Sequence, residues 1–273
     1  MEPKALILSG YGINCEKETA EAFELAGAKA EIVHINDLID KTKSLNNYNI
    51  LVFPGGFSYG DDTGAGIGFA NKFRNNLWNE FKEFIEKENL VIGICNGFQI
   101  LTALGVFALP FEEYGKRTTA LISNNGARYE CRWVNLKHEN SKCVFTKGIS
   151  STFLPVAHGE GKFLCSLKTL NQLKQNKQVV FRYCNSSLED AKGIYPQNPN
   201  GALFDIAGIC DKTGRILGMM PHPERAIYSI NQPDYQLKKE ITKRINQQIP
   251  ELIGSNIQIF KNAVKFIRDK GEN

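Results

Sequence analysis

Short apolar runs alternate with amphipathic stretches along the first hundred residues. Lys4–Ser9, residues 31–35, Ile50–Phe53 and Leu90–Ile94 are apolar segments too short for helices, which predicts strands. Between them, residues 15–25 place Thr19, Ala22 and Phe23, with Ala26 just beyond, on one helical face. Phe69, Phe73, Leu77, Phe81 and Ile85 recur every fourth residue, a stripe that reads as core. Asn96–Leu104 also has helical spacing. Strands alternating with helices predict an α/β fold: an open, mostly parallel, twisted sheet with helices on its faces. Ligands in such sheets bind beyond the C-terminal ends of the strands.

After Leu104 the pattern turns β-rich. Residues 118–123, the turn Asn124-Asn-Gly126 and residues 128–136 predict a β-hairpin, with Tyr129, Cys131 and Trp133 alternating against polar positions. Further strands are predicted at 153–157, 179–183, 202–210 and 216–220, the last two joined by Asp211-Lys-Thr-Gly214. No linker or low-complexity stretch separates the halves, so residues 1–273 read as one domain whose later strands extend or flank the first sheet. From Tyr228 to Gln248 the chain is polar, and it closes with a helix carrying Ile257, Phe260, Val264 and Ile267 on one face.

Composition excludes several classes. Hydrophobic residues are 42% and charged residues 23% of 273, and a net charge of +4 is interspersed, the profile of an ordinary globular protein with no nucleic-acid footprint. Seven cysteines, at 15, 95, 131, 143, 165, 184 and 210, form no C-x-x-C pair. That usage fits a reducing cytoplasm and offers no metal-finger spacing, so no metal is expected. No apolar run is long enough for a membrane span, and Met1-Glu-Pro-Lys4 lacks the basic start of a signal peptide.

The candidate chemistry centres on Gly93-Ile-Cys95-Asn-Gly97, where an apolar strand turns sharply into a helix. This is the shape of a nucleophile elbow, in which flanking glycines remove Cβ atoms that would clash at the turn. A cysteine at a helix N-terminus meets unpaired N–H groups and the positive end of the dipole, which favour its nucleophilic thiolate. One strand earlier, Pro54-Gly-Gly-Phe-Ser-Tyr-Gly-Asp61 can bring backbone N–H groups close to a developing oxyanion. The following Gly64-Ala-Gly-Ile-Gly68 misses the dinucleotide spacing, and no phosphate-cradling G-x-x-x-x-G-K-[ST] occurs. Two histidines compete as the base. His222, in Pro-His-Pro-Glu224, and His158, in Ala-His-Gly-Glu160, each have a glutamate two residues on, and spacing does not choose between them. His34 and His138 sit in strand-like and charged surroundings and carry no such signal.

Together, Pro54–Asp61, Gly93-Ile-Cys-Asn-Gly-Phe-Gln99, Ala157-His-Gly-Glu-Gly161, Tyr195-Pro-Gln-Asn-Pro-Asn-Gly201 and Met220-Pro-His-Pro-Glu-Arg225 resemble the class I (triad) glutamine amidotransferases. Within that family they are similar to the glutaminase subunits of phosphoribosylformylglycinamidine synthases. The resemblance implies a flavodoxin-like sheet and a triad of Cys95 as nucleophile, His222 as base and Glu224 as its orienting partner. It implies oxyanion donors around Gly55 and Gly56 and at Asn96, and glutamine contacts from Phe57, Ser58 and Gln99. His158 is then left to a structural or subunit-contact role.

The same resemblance implies glutamine as the small-molecule substrate, with ammonia passed on. No cofactor is implied in this chain; ATP and Mg would lie on a separate synthetase subunit, with a small bridging subunit as a further partner. Residues 231–254 are longer than expected between His-Pro-Glu-Arg and the last helix, and read as a surface insertion or a docking element. Rival readings are a triad enzyme for another acceptor and a scaffold subunit without activity.

Overall fold

The structure, a computed structural model, describes residues 1–61, 64–245 and 251–271. Strand β1 (Lys4–Ser9) leads through helix α1 (Glu16–Leu25) to β2 (Lys29–His34), then through the short α2 (Ile35–Ile39) to β3 (Ile50–Phe53). The long α3 (Ile67–Glu86) leads to β4 (Leu90–Ile94), which passes directly into α4 (Asn96–Leu104). Apart from α2, which has no counterpart in the sequence reading, these four strands and three helices fall where periodicity predicts them, within one or two residues at their ends. His34, expected inside a strand, ends β2, and its Nδ1 accepts the Asn36 N–H at 3.2 Å to start α2.

The second half contains β5 (Thr119–Ile122), β6 (Glu130–His138), β7 (Ser151–His158), β8 (Lys162–Cys165), helix α5 (Leu167–Gln175), β9 (Val179–Cys184), β10 (Ile206–Cys210) and β11 (Ile216–Met219). Helices α6 (Tyr235–Arg244) and α7 (Gln258–Lys270) close the chain. Nine strands form one sheet in the order β2-β1-β3-β4-β11-β10-β9-β6-β7. It is parallel from β2 through β11 and antiparallel from there to β7. The later strands extend the sheet, as expected, and make it mixed.

One predicted strand pairing and one predicted strand boundary are corrected. Strand β5 pairs with β8 in a separate two-stranded sheet, and β6 pairs with β7 and β9, so 118–136 is no hairpin. Asn124 explains the divergence. Its N–H donates to Gly159 O, its Nδ2 to the carbonyls of Arg128 and His158, and its Oδ1 accepts the Gly161 N–H. The turn has its own Ala127 N–H to Asn124 O bond, but the Asn124 N–H and side chain also tie it to the β7–β8 loop. The strand predicted at 202–210 begins only at Ile206. Phe204 and Asp205 have φ near +55°, and the buried Asp205 carboxylate accepts the N–H groups of Lys192 and Gly193, which curls the chain.

The sheet is covered on both faces because chain progression reverses after β2, and right-handed crossovers then put α1 and α3 on opposite sides. Helix α3 buries Phe69, Phe73, Leu77, Phe81 and Ile85, as its stripe predicts, and Phe84 as well. On the other face Phe23 of α1 meets Phe260 of α7 edge-on, ring centroids 5.1 Å apart. Strands β3 and β4 are buried at every position, which is why they read as unbroken apolar runs.

Helix α4 lies almost on the backbone of the central strands. A Cβ at Gly97 would stand 1.8 Å from the Phe53 carbonyl oxygen, and one at Gly218 2.2 Å from the Phe98 ring. Gly97→Ala therefore has to push α4 off β3. The expected result is a loss of about 3 kcal/mol of unfolding free energy, read from the urea midpoint; an unchanged midpoint would contradict this seating.

The excursion between Tyr228 and Ile253 has its two ends clipped together. Ser229 N–H donates to Leu252 O, and Gly254 N–H to Ile227 O. Helix α6 within it buries none of its residues. Of the segment 231–254, residues 246–250 lie outside the described ones.

Candidate active site

Four loops meet at the C-terminal ends of β1, β3, β4 and β11, on either side of the point where the strand order reverses. The first is the turn from Cys95 into α4. Cys95 has φ +52° and ψ −106°, a conformation that costs an ordinary residue about 1–3 kcal/mol. Its N–H donates to Met219 O at 2.8 Å, and Gly93 and Gly97 supply the clearance on either side. The thiol is buried, with Sγ 3.6 Å from Ala157 O.

Beyond β11, the stiff Pro-His-Pro-Glu turn brings His222 to the same place. Its Nδ1 is 2.5 Å from Glu224 Oε1, and both side chains are buried. With Nδ1 so engaged, the free nitrogen is Nε2, which is buried without a hydrogen-bond partner among the described residues. Burial works against a charged imidazole. The Glu224 carboxylate and the Cys95 sulfur, with the contacts to the Cys15 and Cys95 sulfurs, outweigh it and hold His222 well above its ordinary range. The site thus keeps a proton on the ring between a carboxylate and a sulfur.

The loop after β3 forms the facing wall. Phe57 N–H donates to Gly12 O at 2.7 Å and Asn14 N–H to Gly55 O at 3.2 Å, bracketing the bridge between Ile13 and Gly56. In such a non-hydrogen-bonded pair the N–H of the central residue points outward. That leaves the Gly56 N–H, like the Asn96 N–H at the first turn of α4, with no acceptor among the described residues. At φ +154° a Cβ on residue 56 would also stand 2.6 Å from Gly12 O.

Side-chain amides lock these loops to each other. Asn96 Oδ1 accepts the Ser58 N–H at 3.2 Å, Asn96 Nδ2 donates to Gln99 Oε1 at 2.9 Å, and Gln99 Nε2 donates to Glu160 O at 2.6 Å. The buried Ser58 Oγ has no hydrogen-bond partner among the described residues, and Phe57 lies exposed on the rim, 6.1 Å ring to ring from Tyr129. All the residues singled out from the sequence, Cys95, His222, Glu224, Gly55, Gly56, Phe57, Ser58, Asn96 and Gln99, are thus in one neighbourhood.

His158 stands behind this wall. Burial, with the charge of His222 nearby, lowers it to about 4, so it is neutral at pH 7. Its Nε2 lies 3.4 Å from Asn200 Nδ2, and its ring edge packs where Gly161 lacks a Cβ. It joins the motifs at 157–161 and 195–201 as part of the frame.

One residue escaped sequence reasoning. Cys15, the residue before α1, is buried beside His222, both facing the bare Cα of Gly55, and Arg225 Nη2 donates to its sulfur at 2.9 Å. Burial raises this thiol against the lowering effect of His222 and Arg225. Its one sequence signal was its place at a helix start, which nothing connected to a histidine at the far end of the chain.

The family model described as a CobB/CobQ-like glutamine amidotransferase domain matches residues 2–267. A Methanococcus maripaludis protein named phosphoribosylformylglycinamidine synthase subunit PurQ is 62% identical over 97% of this chain and 99% of its own. A Dehalococcoides mccartyi protein of the same name is 45% identical over 97% and 98%. Among solved structures, PurLQS from Thermotoga maritima superposes with a TM-score of 0.71 and 26% identity, covering 98% of this chain and all of the matched one.

Proposed function

The chain belongs to the CobB/CobQ-like glutamine amidotransferase family, and from that premise we propose that it is the glutaminase subunit of a phosphoribosylformylglycinamidine synthase. The observation that carries this reading is the meeting of the Cys95 elbow with the buried His222–Glu224 pair beneath two outward backbone N–H groups. The relatives at 62% and 45% identity carry the name of that subunit over nearly their whole length.

In this reading Cys95 Sγ attacks the side-chain amide carbon of glutamine. The tetrahedral oxyanion is met by the N–H groups of Gly56 and Asn96, with Gly55 giving the loop its close approach. His222, already holding a proton, delivers it from Nε2 to the departing nitrogen, so the C–N bond breaks to ammonia and a γ-glutamyl thioester remains. The now neutral imidazole takes a proton from water as it attacks the thioester; the C–S bond breaks, glutamate is released, and the thiolate–imidazolium pair is restored. Glu224 keeps the ring in the tautomer that presents Nε2. Phe57, Ser58 and Gln99 contact the substrate: Ser58 through its unpartnered Oγ, Gln99 through the N–H not given to Glu160, and Phe57 as a rim wall.

Ammonia passes to a synthetase subunit, which carries ATP and Mg and acts on formylglycinamide ribonucleotide; this chain itself needs no cofactor. A small bridging subunit completes the assembly, a reading supported by the three-part name of the Thermotoga PurLQS complex. We read residues 1–273 as one amidotransferase domain and 231–254 as an insertion on it, supported by the clipped ends at Tyr228 and Ile253. No helix among the described residues is long and apolar enough to cross a membrane, and seven free cysteines support a cytoplasmic setting. The test is reconstitution. Synthetase with formylglycinamide ribonucleotide and ATP is expected to use ammonium salts alone but to use glutamine only when this chain is added; glutamine use without it refutes the reading.

A further inference from the structure

We propose that Cys15, His222 and Glu224 form a binding site for a soft divalent cation of the zinc type, whose occupancy switches the glutaminase off. The three side chains are buried, and one donor atom from each lies within 4.8 Å of the others. In a tetrahedral zinc site, bond lengths of roughly 2.0–2.3 Å put donor atoms about 3.3–3.8 Å apart. Small rotations that open the His222–Glu224 contact and bring the sulfur in reach that spacing.

The space for an ion is made by Gly55. A Cβ there would stand 2.7 Å from His222 Cε1 and 2.9 Å from Cys15 Sγ, so any other residue would fill the gap between ring and sulfur. One thiolate, one imidazole and one carboxylate favour zinc or cadmium over magnesium or calcium. Arg225 is the group that opposes a cation here. Its guanidinium is also held by Glu18, 3.6 Å from Nε, and is about a third exposed, so it can turn outward or remain as a hydrogen-bond donor to the bound thiolate.

The consequence for catalysis follows from proton bookkeeping. The ion displaces two protons to solvent, one from the Cys15 thiol and one from Nδ1 of the charged ring, takes the Nδ1 lone pair so freed, and leaves a neutral ring with its one proton on Nε2. With Nδ1 on the metal and removed from Glu224, the ring can neither cycle a proton through Nε2 nor hold its charge. Cys95 is not a ligand, which separates this site from simple capture of the nucleophile. The inhibitory consequence rests on the function proposed above; the binding site does not.

Two measurements test it. In the complex with its synthetase, Zn²⁺ is expected to inhibit glutamate release while leaving ammonium-driven synthesis unchanged, and Cys15→Ser is expected to raise the half-inhibitory concentration at least about tenfold. An unchanged concentration in that variant overturns the proposal. Independently of activity, Cd²⁺ is titrated into the complex with Cys131 and Cys165 replaced by serine. A thiolate-to-cadmium absorption band that survives Cys95→Ala and disappears in Cys15→Ser supports the site. A band that disappears with Cys95 and survives without Cys15 refutes it. If the Cys15→Ser chain does not fold, Cys15→Ala takes its place in both measurements, and loss of the band in Cys95→Ala refutes the site.

Discussion

Cys95→Ala is expected to lower glutamine hydrolysis by about 10⁴-fold or more while the complex still makes product from ammonium salts. The size of the loss reflects covalent catalysis: without sulfur no thioester forms, and an imidazole and two N–H groups stabilise nothing that a weak external nucleophile can reach. The substitution shortens a buried side chain but leaves the turn, its Met219 bond and the α4 seating in place, so folding should survive. The same variant gives a second reading. A glutamine-analogue alkylator should label one site in the wild type and none at this site in the variant, and equal labelling of both would move the nucleophile to another of the seven cysteines.

Glu224→Gln is expected to cost about 10²–10⁴-fold in kcat/KM, by the precedent of triads whose carboxylate becomes an amide. The amide can present an N–H where the ring's own Nδ1 proton points, which favours the tautomer with the proton on Nε2. It also removes the negative charge that holds His222 above its ordinary range. The direction of the pH effect follows. A raised His222 keeps its proton to higher pH than an ordinary histidine, so the alkaline limb of Cys95 alkylation reports its loss. In Glu224→Gln the limb should move to lower pH. A limb that stays in place would mean that the sulfur contacts alone set the charge of the ring.

The legible parts of this molecule are those governed by local periodicity. Leu90–Ile94 and Ile50–Phe53 are buried on both faces and so are apolar throughout, and α3 announces itself through phenylalanines every fourth residue. The Cys95 turn was legible because glycines on both sides of a cysteine answer a specific steric need. Choosing between His158 and His222 was not a local question. Both stand in turns with a glutamate two residues on, and what separates them is that Glu224 reaches Nδ1 of its histidine, whereas Glu160 turns away to accept the Ala65 N–H.

Pairing was illegible for the same reason. Asn124-Asn-Gly126 carries the composition of a hairpin turn, but its side chain and backbone are spent on the loop at 158–161. The apolar letters of 202–210 hide Asp205, whose partners lie at 182, 192, 193 and 198. Cys15 is the extreme case, since the contact that gives it meaning exists only after the first and last strands of the parallel half have folded beside each other's loops.

The seating of α4 on bare backbone has a consequence for how this enzyme can change. A nucleophile whose helix has no slack against Phe53 and Gly218 cannot be shifted by small mutations to suit a new substrate or partner. Divergence has to happen in what is brought to it: the loops at 54–61, 157–161 and 195–201 and the excursion from Tyr228 to Ile253. The sulfur is the fixed anvil, and evolution is free to exchange only the tools arranged around it.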